Sequence, residues 1–232
     1  MWRNGSLAVL GVVAIAVAAC DGAHVNSDVT ATEGGAGTVN GSIHVPAGQH
    51  SGALGTVNGS IQIDDGAAVG TARTVNGGIN VGAHATADSV NTVNGQVTLG
   101  AGAHVSHAIT AVNGAMNLES GADVGGEVSN VNGQITLTAA HVGGGLHTVG
   151  GDIDVTGESR IEGGILVEQP GGWFGGSSTR QRKPRIVIGP GAVVQGNLRF
   201  EREVELYVSE RATVGPISGA TAIRFSGDRP PG

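Results

Sequence analysis

From about residue 36 the chain follows a strict in-out-in rhythm that returns at a fixed interval. The tripeptide Val-Asn-Gly recurs with its asparagines at Asn40, Asn58, Asn76, Asn94, Asn113 and Asn132, and a degenerate copy, Val149-Gly150-Gly151, follows; the steps are 18, 18, 18, 19, 19 and 18 residues. After each Asn-Gly comes one residue, then apolar, polar, apolar. The first apolar column is Ile43, Ile61, Ile79, Val97, Met116, Ile135 and Ile153; the second is Val45, Ile63, Val81, Leu99, Leu118, Leu137 and Val155. Between them stand His44, Gln62, Asn80, Thr98, Asn117, Thr136 and Asp154. Such alternation is the signature of a strand with one buried face.

Each repeat holds two further apolar segments. One has the form Ala-x-Val, as in Ala67-Val69, Ala103-Val105, Ala122-Val124 and Ala140-Val142, with Ala85-Ala87 between; the other is the column Leu54, Ala72, Val90, Ile109, Val128 and Leu146. Three short apolar segments separated by Gly-rich corners predict an all-β, single-stranded β-helix (a β-solenoid) of about eighteen residues per turn, with three short strands per coil. A single coil of this kind buries only roughly six small side chains against the ordering of its whole backbone, so it must lean on its neighbours. The pattern also places Val57, Val75 and Val93 as stacked neighbours facing the interior.

Asn-Gly is a corner signal, because Asn tolerates left-handed backbone angles and Gly has no Cβ. Stacked asparagines can also hydrogen-bond along the axis, so Asn40, Asn58, Asn76, Asn94, Asn113 and Asn132 are expected to form a structural ladder. Thr38, Thr56, Thr74 and Thr92 form a second polar column just before it. Ligand or ice binding is the functional alternative for these columns.

Composition sharpens this picture. Glycine contributes 43 residues and aromatics only 3%, which suits a thin core of Val, Ile, Leu and Ala. Charge is unevenly spread: between Asp21 and Glu158 the only basic residue is Arg73, and ten of the twelve basic residues lie at or after Arg160. A net charge of −7 argues against a nucleic-acid partner.

The first twenty residues read MWRNGSLAVLGVVAIAVAAC. Arg3 precedes an apolar run from Leu7 to Ala19, too short to span a bilayer comfortably and of the length found in signal peptides. Val17-Ala18-Ala19-Cys20 resembles the bacterial lipobox, which implies lipidation of Cys20, the only cysteine. The expected partner is therefore a membrane, reached through a lipid anchor, with the protein exported to the cell envelope on the periplasmic side or at the cell surface.

After Ile161 the rhythm fades. Residues 171–183 read GGWFGGSSTRQRK, between Pro170 and Pro184. This predicts a loop carrying Trp173, Phe174, Arg180, Arg182 and Lys183, with Arg185 beyond, a candidate surface for envelope glycan or lipid. The bland reading is that the aromatics fold back over an apolar flank. Coiling resumes where Ile186 and Ile188 match Val204 and Leu206, eighteen residues on, and where Gly191-Ala192-Val193-Val194 answers Arg211-Ala212-Thr213-Val214. Leu198 and Phe200 supply a third side, and Phe225 and the Pro-rich end close the stack. The expected layout is a signal peptide at 1–19, a lipidated linker at 20–35, regular coils at 36–166, the protruding loop at 167–185, C-terminal coils at 186–226 and a tail at 227–232.

The stretch RIVIGPGAVVQGNLRFEREVELYVSERATVGPISG resembles the bactofilins, polymer-forming β-helical proteins, through its Gly-Ala-x-Val-x-Gly corners and Val-Glu-Leu strand. The TVNGSI-type coils are similar to an adhesin-type domain family of bacterial surface proteins. Together these likenesses cover roughly residues 36–225. They imply a structural, self-assembling or adhesive protein rather than an enzyme. Bactofilins generally work in the cytoplasm, whereas this chain carries an export signal. The eighteen-residue period suits a left-handed coil, while the bactofilin likeness implies a right-handed one, which is taken as the expectation.

The corners also resemble hexapeptide-repeat acyltransferases, which use a histidine base; His104 and His141 share one outward column with Asp123 between them. No acyl-donor domain accompanies them. No Cys/His pair has zinc spacing, and Asp64-Asp65 lacks the calcium nonapeptide of other solenoids. The sequence therefore calls for no cofactor and no metal.

Overall fold

The computed structural model describes residues 26–31, 33–170 and 182–230. All regular structure there is β, in parallel strands stacked about eighteen residues apart in a solenoid of about ten turns. Each coil has three sides. The first side is an eleven-stranded parallel sheet running from Val29–Thr30 through Ile43–Val45, Ile61–Ile63 and Ile79–Val81 to Ala222–Phe225. Val29 already pairs with Ile43, so the first described rung begins ahead of residue 36. The second side stacks His50–Ser51, His104–Val105, Asp123–Val124 and their equivalents; the third stacks Ala36–Thr38, Leu54–Asn58, Ile109–Asn113 and theirs. Strands Ala68–Asn76 and Thr86–Asn94 bend across the corner and join the second and third sides.

Register is set by the inward side chains. Ile61, Ile79, Val97, Met116 and Ile135 are consecutive partners on the first side. The three inward columns are almost wholly buried, with Ile43, Val97, Leu99, Val105, Ile109 and Val128 all at 0% exposure. One expected column is not inward. Val57, Val75 and Val93 are half-exposed, whereas Thr56, Thr74 and Thr92 are buried. Alternation from Leu54 sends Thr56 in and Val57 out.

The buried threonines explain the whole Thr-Val-Asn-Gly unit. Thr56 donates its hydroxyl to the Gly41 carbonyl at 2.8 Å, Thr74 to that of Gly59 at 2.9 Å, and Thr92 to that of Gly77 at 3.1 Å. Each carbonyl is thereby satisfied inside the coil. The same carbonyl sits so close to the next corner that a Cβ on Gly59 would lie 1.9 Å from Gly41 O, and one on Gly95 1.9 Å from Gly77 O. Glycine is thus required there by close backbone approach. The corner asparagines have no positive φ; among the described residues only His84 (55°) and Ala139 (48°) do so without being glycine. Most of the left-handed geometry belongs to a different corner, between the first and second sides, where Gly48, Gly66, Gly102, Gly121 and Gly157 share the column with His84 and Ala139; among the Asn-Gly glycines Gly133 alone has a positive φ, 133°.

The later coils are offset from the expected register. Ile186 pairs with Leu206 and Ile188 with Val208, a step of twenty residues rather than eighteen, and Val204 lies ahead of the strand. Relative to the eighteen-residue coils, one additional residue is taken up between Val194 and Leu198 and the other at the corner between Phe200 and Leu206. Ile153 pairs with Ile186, thirty-three positions on, so the first side continues in register from Ile153–Thr156 to Arg185–Ile188.

Candidate functional site

Among the sequence-nominated residues, Cys20, Trp173, Phe174 and Arg180 lie outside the described residues. The remaining cations of that cluster are held by the coils. Arg182 pairs with Asp152 at 2.7 Å, Lys183 with Glu203 at 2.9 Å, and the Arg185 guanidinium lies 5.1 Å from the Tyr207 ring centroid. Their charge is partly neutralised by the protein itself.

The asparagine ladder is continuous. Asn40 donates to Asn26, Asn58 to Asn40, Asn76 to Asn58, Asn94 to Asn76, Asn113 to Asn94 and Asn132 to Asn113, at 2.8–3.1 Å. From Asn40 to Asn113 each amide donates to one neighbour and accepts from the other along the axis, so the column offers structure rather than chemistry.

On the second side His104, Asp123 and His141 occupy consecutive rungs. Nδ1 of His104 lies 2.7 Å from one Asp123 oxygen, and Nδ1 of His141 lies 2.5 Å from the other. His141 Nε2 lies 3.4 Å from Glu162. Partial burial would raise the Asp123 carboxyl, but its hydrogen bonds to His141 and His104 hold it below its usual range. His141 is raised chiefly by its bond to Asp123, against burial, with Glu162 adding to it. The column is a chain of hydrogen-bonded imidazole and carboxylate groups on an open face, with 38–43% of each imidazole exposed.

The third side carries a cluster that the sequence reading did not nominate. His147 is 6% exposed and stands between Glu127, 3.4 Å from Nδ1, and Glu168, 3.3 Å from Nε2. Nε2 makes no hydrogen bond, because the Glu168 carboxylate is near but out of line. The Glu127 bond raises the imidazole against its burial, and Glu168 adds to the rise. Beside it opens a depression of about 410 Å³, floored by His147 and Leu166, rimmed by Glu127, Glu168, Asn197 and Arg199. Its open centre comes from Gly145 and Gly164, which stand between Glu127 and Asn197 in the stacked corner. Aligning these four positions by the repeat period was the signal that could have found it.

Among the described residues no three or more His, Cys, Asp or Glu side chains converge as a metal site. On the first side, the Asp154 carboxyl is raised by burial, partly offset by Arg185 and Arg229, and its Oδ1 has no partner.

The C-terminal rung is the other distinctive surface. Thr213–Val214, Ile217–Ser218 and Ala222–Phe225 each pair with the preceding coil along one edge. Val214, Ile217 and Ala222 are only half-buried, whereas their partners Val194, Leu198 and Leu206 are at 0% exposure. No family model matches the chain, and no curated protein or solved structure matches it either.

Proposed function

We propose that this chain is a lipid-anchored, non-enzymatic scaffold of the cell envelope that assembles by stacking solenoid ends. One observation carries the reading: the last rung offers three strand edges around inward apolar side chains that are half-buried where the previous coil is sealed. Parallel strand edges are templates for further parallel strands. A second copy presenting its Val29–Thr30 rung would supply the missing layer in the same three-sided plan. Charge supports head-to-tail order. Residues 21–158 hold twelve carboxylates and one cation, whereas residues 159–232 hold ten cations and seven carboxylates. Opposite ends of two copies therefore attract. The Cys20 motif and the bactofilin likeness point the same way, the first to a membrane anchor and the second to polymerisation.

The test is sedimentation and electron microscopy of the chain from residue 21 onward over a wide concentration range. Concentration-dependent oligomers or filaments are expected, and Ile217→Lys is expected to abolish them. Purely monomeric behaviour at all concentrations removes the reading.

A further inference from the structure

The Glu127–His147–Glu168 cluster plays no part in end stacking, and its chemistry is specific enough to name a ligand. A metal is excluded by geometry, since the two carboxylates approach opposite nitrogens of one ring and share no focal point. An anion would meet two carboxylates, and an ammonium would meet an imidazole whose hold on its proton those carboxylates strengthen. What remains unsatisfied is a buried donor, Nε2, with an acceptor 3.3 Å away but misaligned. A group that accepts from the one and donates to the other completes both, and a hydroxyl does this with a single oxygen. A rotation of the Glu168 carboxylate, which is 28% exposed, opens the donor to such a group.

The surroundings fit a ring carrying several hydroxyls. Leu166 stands outward on the next rung and is half-exposed, an apolar platform beside the polar group. Asn197 and Arg199 place donors on the far rim, and Glu127 places acceptors on the near one. A depression of about 410 Å³ falls within the range of small-ligand sites. The solenoid backbone holds all of these groups at fixed rung spacing, so little ordering is needed on binding.

We propose that this depression binds one unit of a neutral saccharide, its ring against Leu166 and a hydroxyl bridging His147 and Glu168. Arg199 on the far rim pairs with Ser218 of the last rung, but Leu166 and His147 lie two and three rungs from it. A chain that stays monomeric can therefore still bind the saccharide, and failure of end stacking would not touch the proposal.

The test titrates the full chain with cellotriose, mannotriose, the trimer of N-acetylglucosamine and trigalacturonate, followed by calorimetry and by the imidazole NMR signals. At least one neutral trimer is expected to bind with a dissociation constant in the millimolar range or below, and to shift the His147 signals. Leu166→Lys should weaken it about tenfold or more while melting like the parent, and Glu168→Gln should weaken it as far while keeping a cooperative melt. Gln62→Ala, on the first side, should have no effect. The proposal is overturned if no neutral trimer binds, if trigalacturonate binds best, or if both variants bind as the parent does.

Discussion

Residues 36–166 and residues 186–226 follow one three-sided plan, yet they are held together differently. In the first region every layer is sealed by the next, and its polar columns bond between rungs, with Asn130 Oδ1, His147 Nε2 and Asp154 Oδ1 left as buried exceptions. Asparagine donates to asparagine, threonine to the carbonyl one corner back, and the outward column of the first side is polar from His44 to Asp154. In the second region the asparagine and threonine columns are gone. The outward column turns apolar at Val187, Tyr207 and Ile223, the last 48% exposed. Larger inward groups, Phe200 and Phe225, fill the coil, and ion pairs such as Arg199–Glu201 replace the amide ladder. Repetition serves the interior of the stack, where each layer meets its own likeness; departure from repetition concentrates at the end, where a different contact is required.

The strongest way to break this comparison is at the corner glycines. Gly95→Ala forces a Cβ to within 1.9 Å of the Gly77 carbonyl oxygen, a backbone atom already held by the Thr92 hydroxyl. Neither partner can move without displacing a rung. A loss of about 3 kcal/mol or more is expected in chemical denaturation. Gly227→Ala, whose nearest neighbour would be 3.5 Å away, should change stability by no more than about 0.5 kcal/mol. Similar losses at the two sites would show that close approach does not explain the glycine column.

Truncating an inward side chain separates the sealed layers from the open one. Leu99→Ala removes a fully buried side chain between Val81 and Leu118 and should cost about 2–5 kcal/mol. Ile217→Ala, half-buried in the last rung, should cost about 1 kcal/mol in dilute protein. At concentrations where chains stack, the Ile217 substitution should become the more damaging of the two for assembly, because the contact it serves is then between copies. Equal costs in dilute protein would mean that the last rung is as well sealed as the middle, and the basis for stacking would disappear.

How much of this was legible in the sequence depends on what the period could align. The inward columns from Ile43 to Ile153 and from Val45 to Val155 follow directly from alternation, as does the ladder from Asn40 to Asn132, because one residue type recurs at one phase. Val57, Val75 and Val93 misled because hydrophobicity alone argued for the interior; the adjacent threonines take that place by donating to a carbonyl within the coil. The left-handed corner was hidden because His84 and Ala139 interrupt its glycines. The late register slipped because Ile186 and Ile188 find apolar partners equally well at an offset of eighteen or twenty; the strand at Glu205–Ser209 selects twenty. The His147 depression was missed because its residues come from four rungs, and two of them, Asn197 and Arg199, follow the break in the repeat.

The finest test uses pH, because all eight histidines precede residue 150 and none lies in residues 186–226. His141 and His147 are both raised above their ordinary value. A raised histidine contributes stability that is fully present below its unfolded value of about 6.5, and loses it as pH climbs through the higher folded value. Asp123, held low, acts in the opposite sense and only in acid, losing its contribution as pH falls through its folded value. Above the ordinary histidine value of about 6.5, well clear of the range in which Asp123 acts, the two raised histidines set the sign, so stability falls as pH rises. The greater share belongs to His147, since its side chain is 7% exposed whereas that of His141 is 38% exposed and screened by water. Hydrogen exchange, corrected for the intrinsic rate, should therefore show protection declining with pH around Leu146–Thr148 and its neighbouring rungs, while Arg185–Ile188 and Glu205–Ser209 hold constant. His147→Gln should flatten the decline, and a parallel decline in that variant would show that Glu127 and Glu168 do not stabilise the imidazolium. The effect should be the smallest of the three, because it alters one proton in a coil whose apolar layers stay intact.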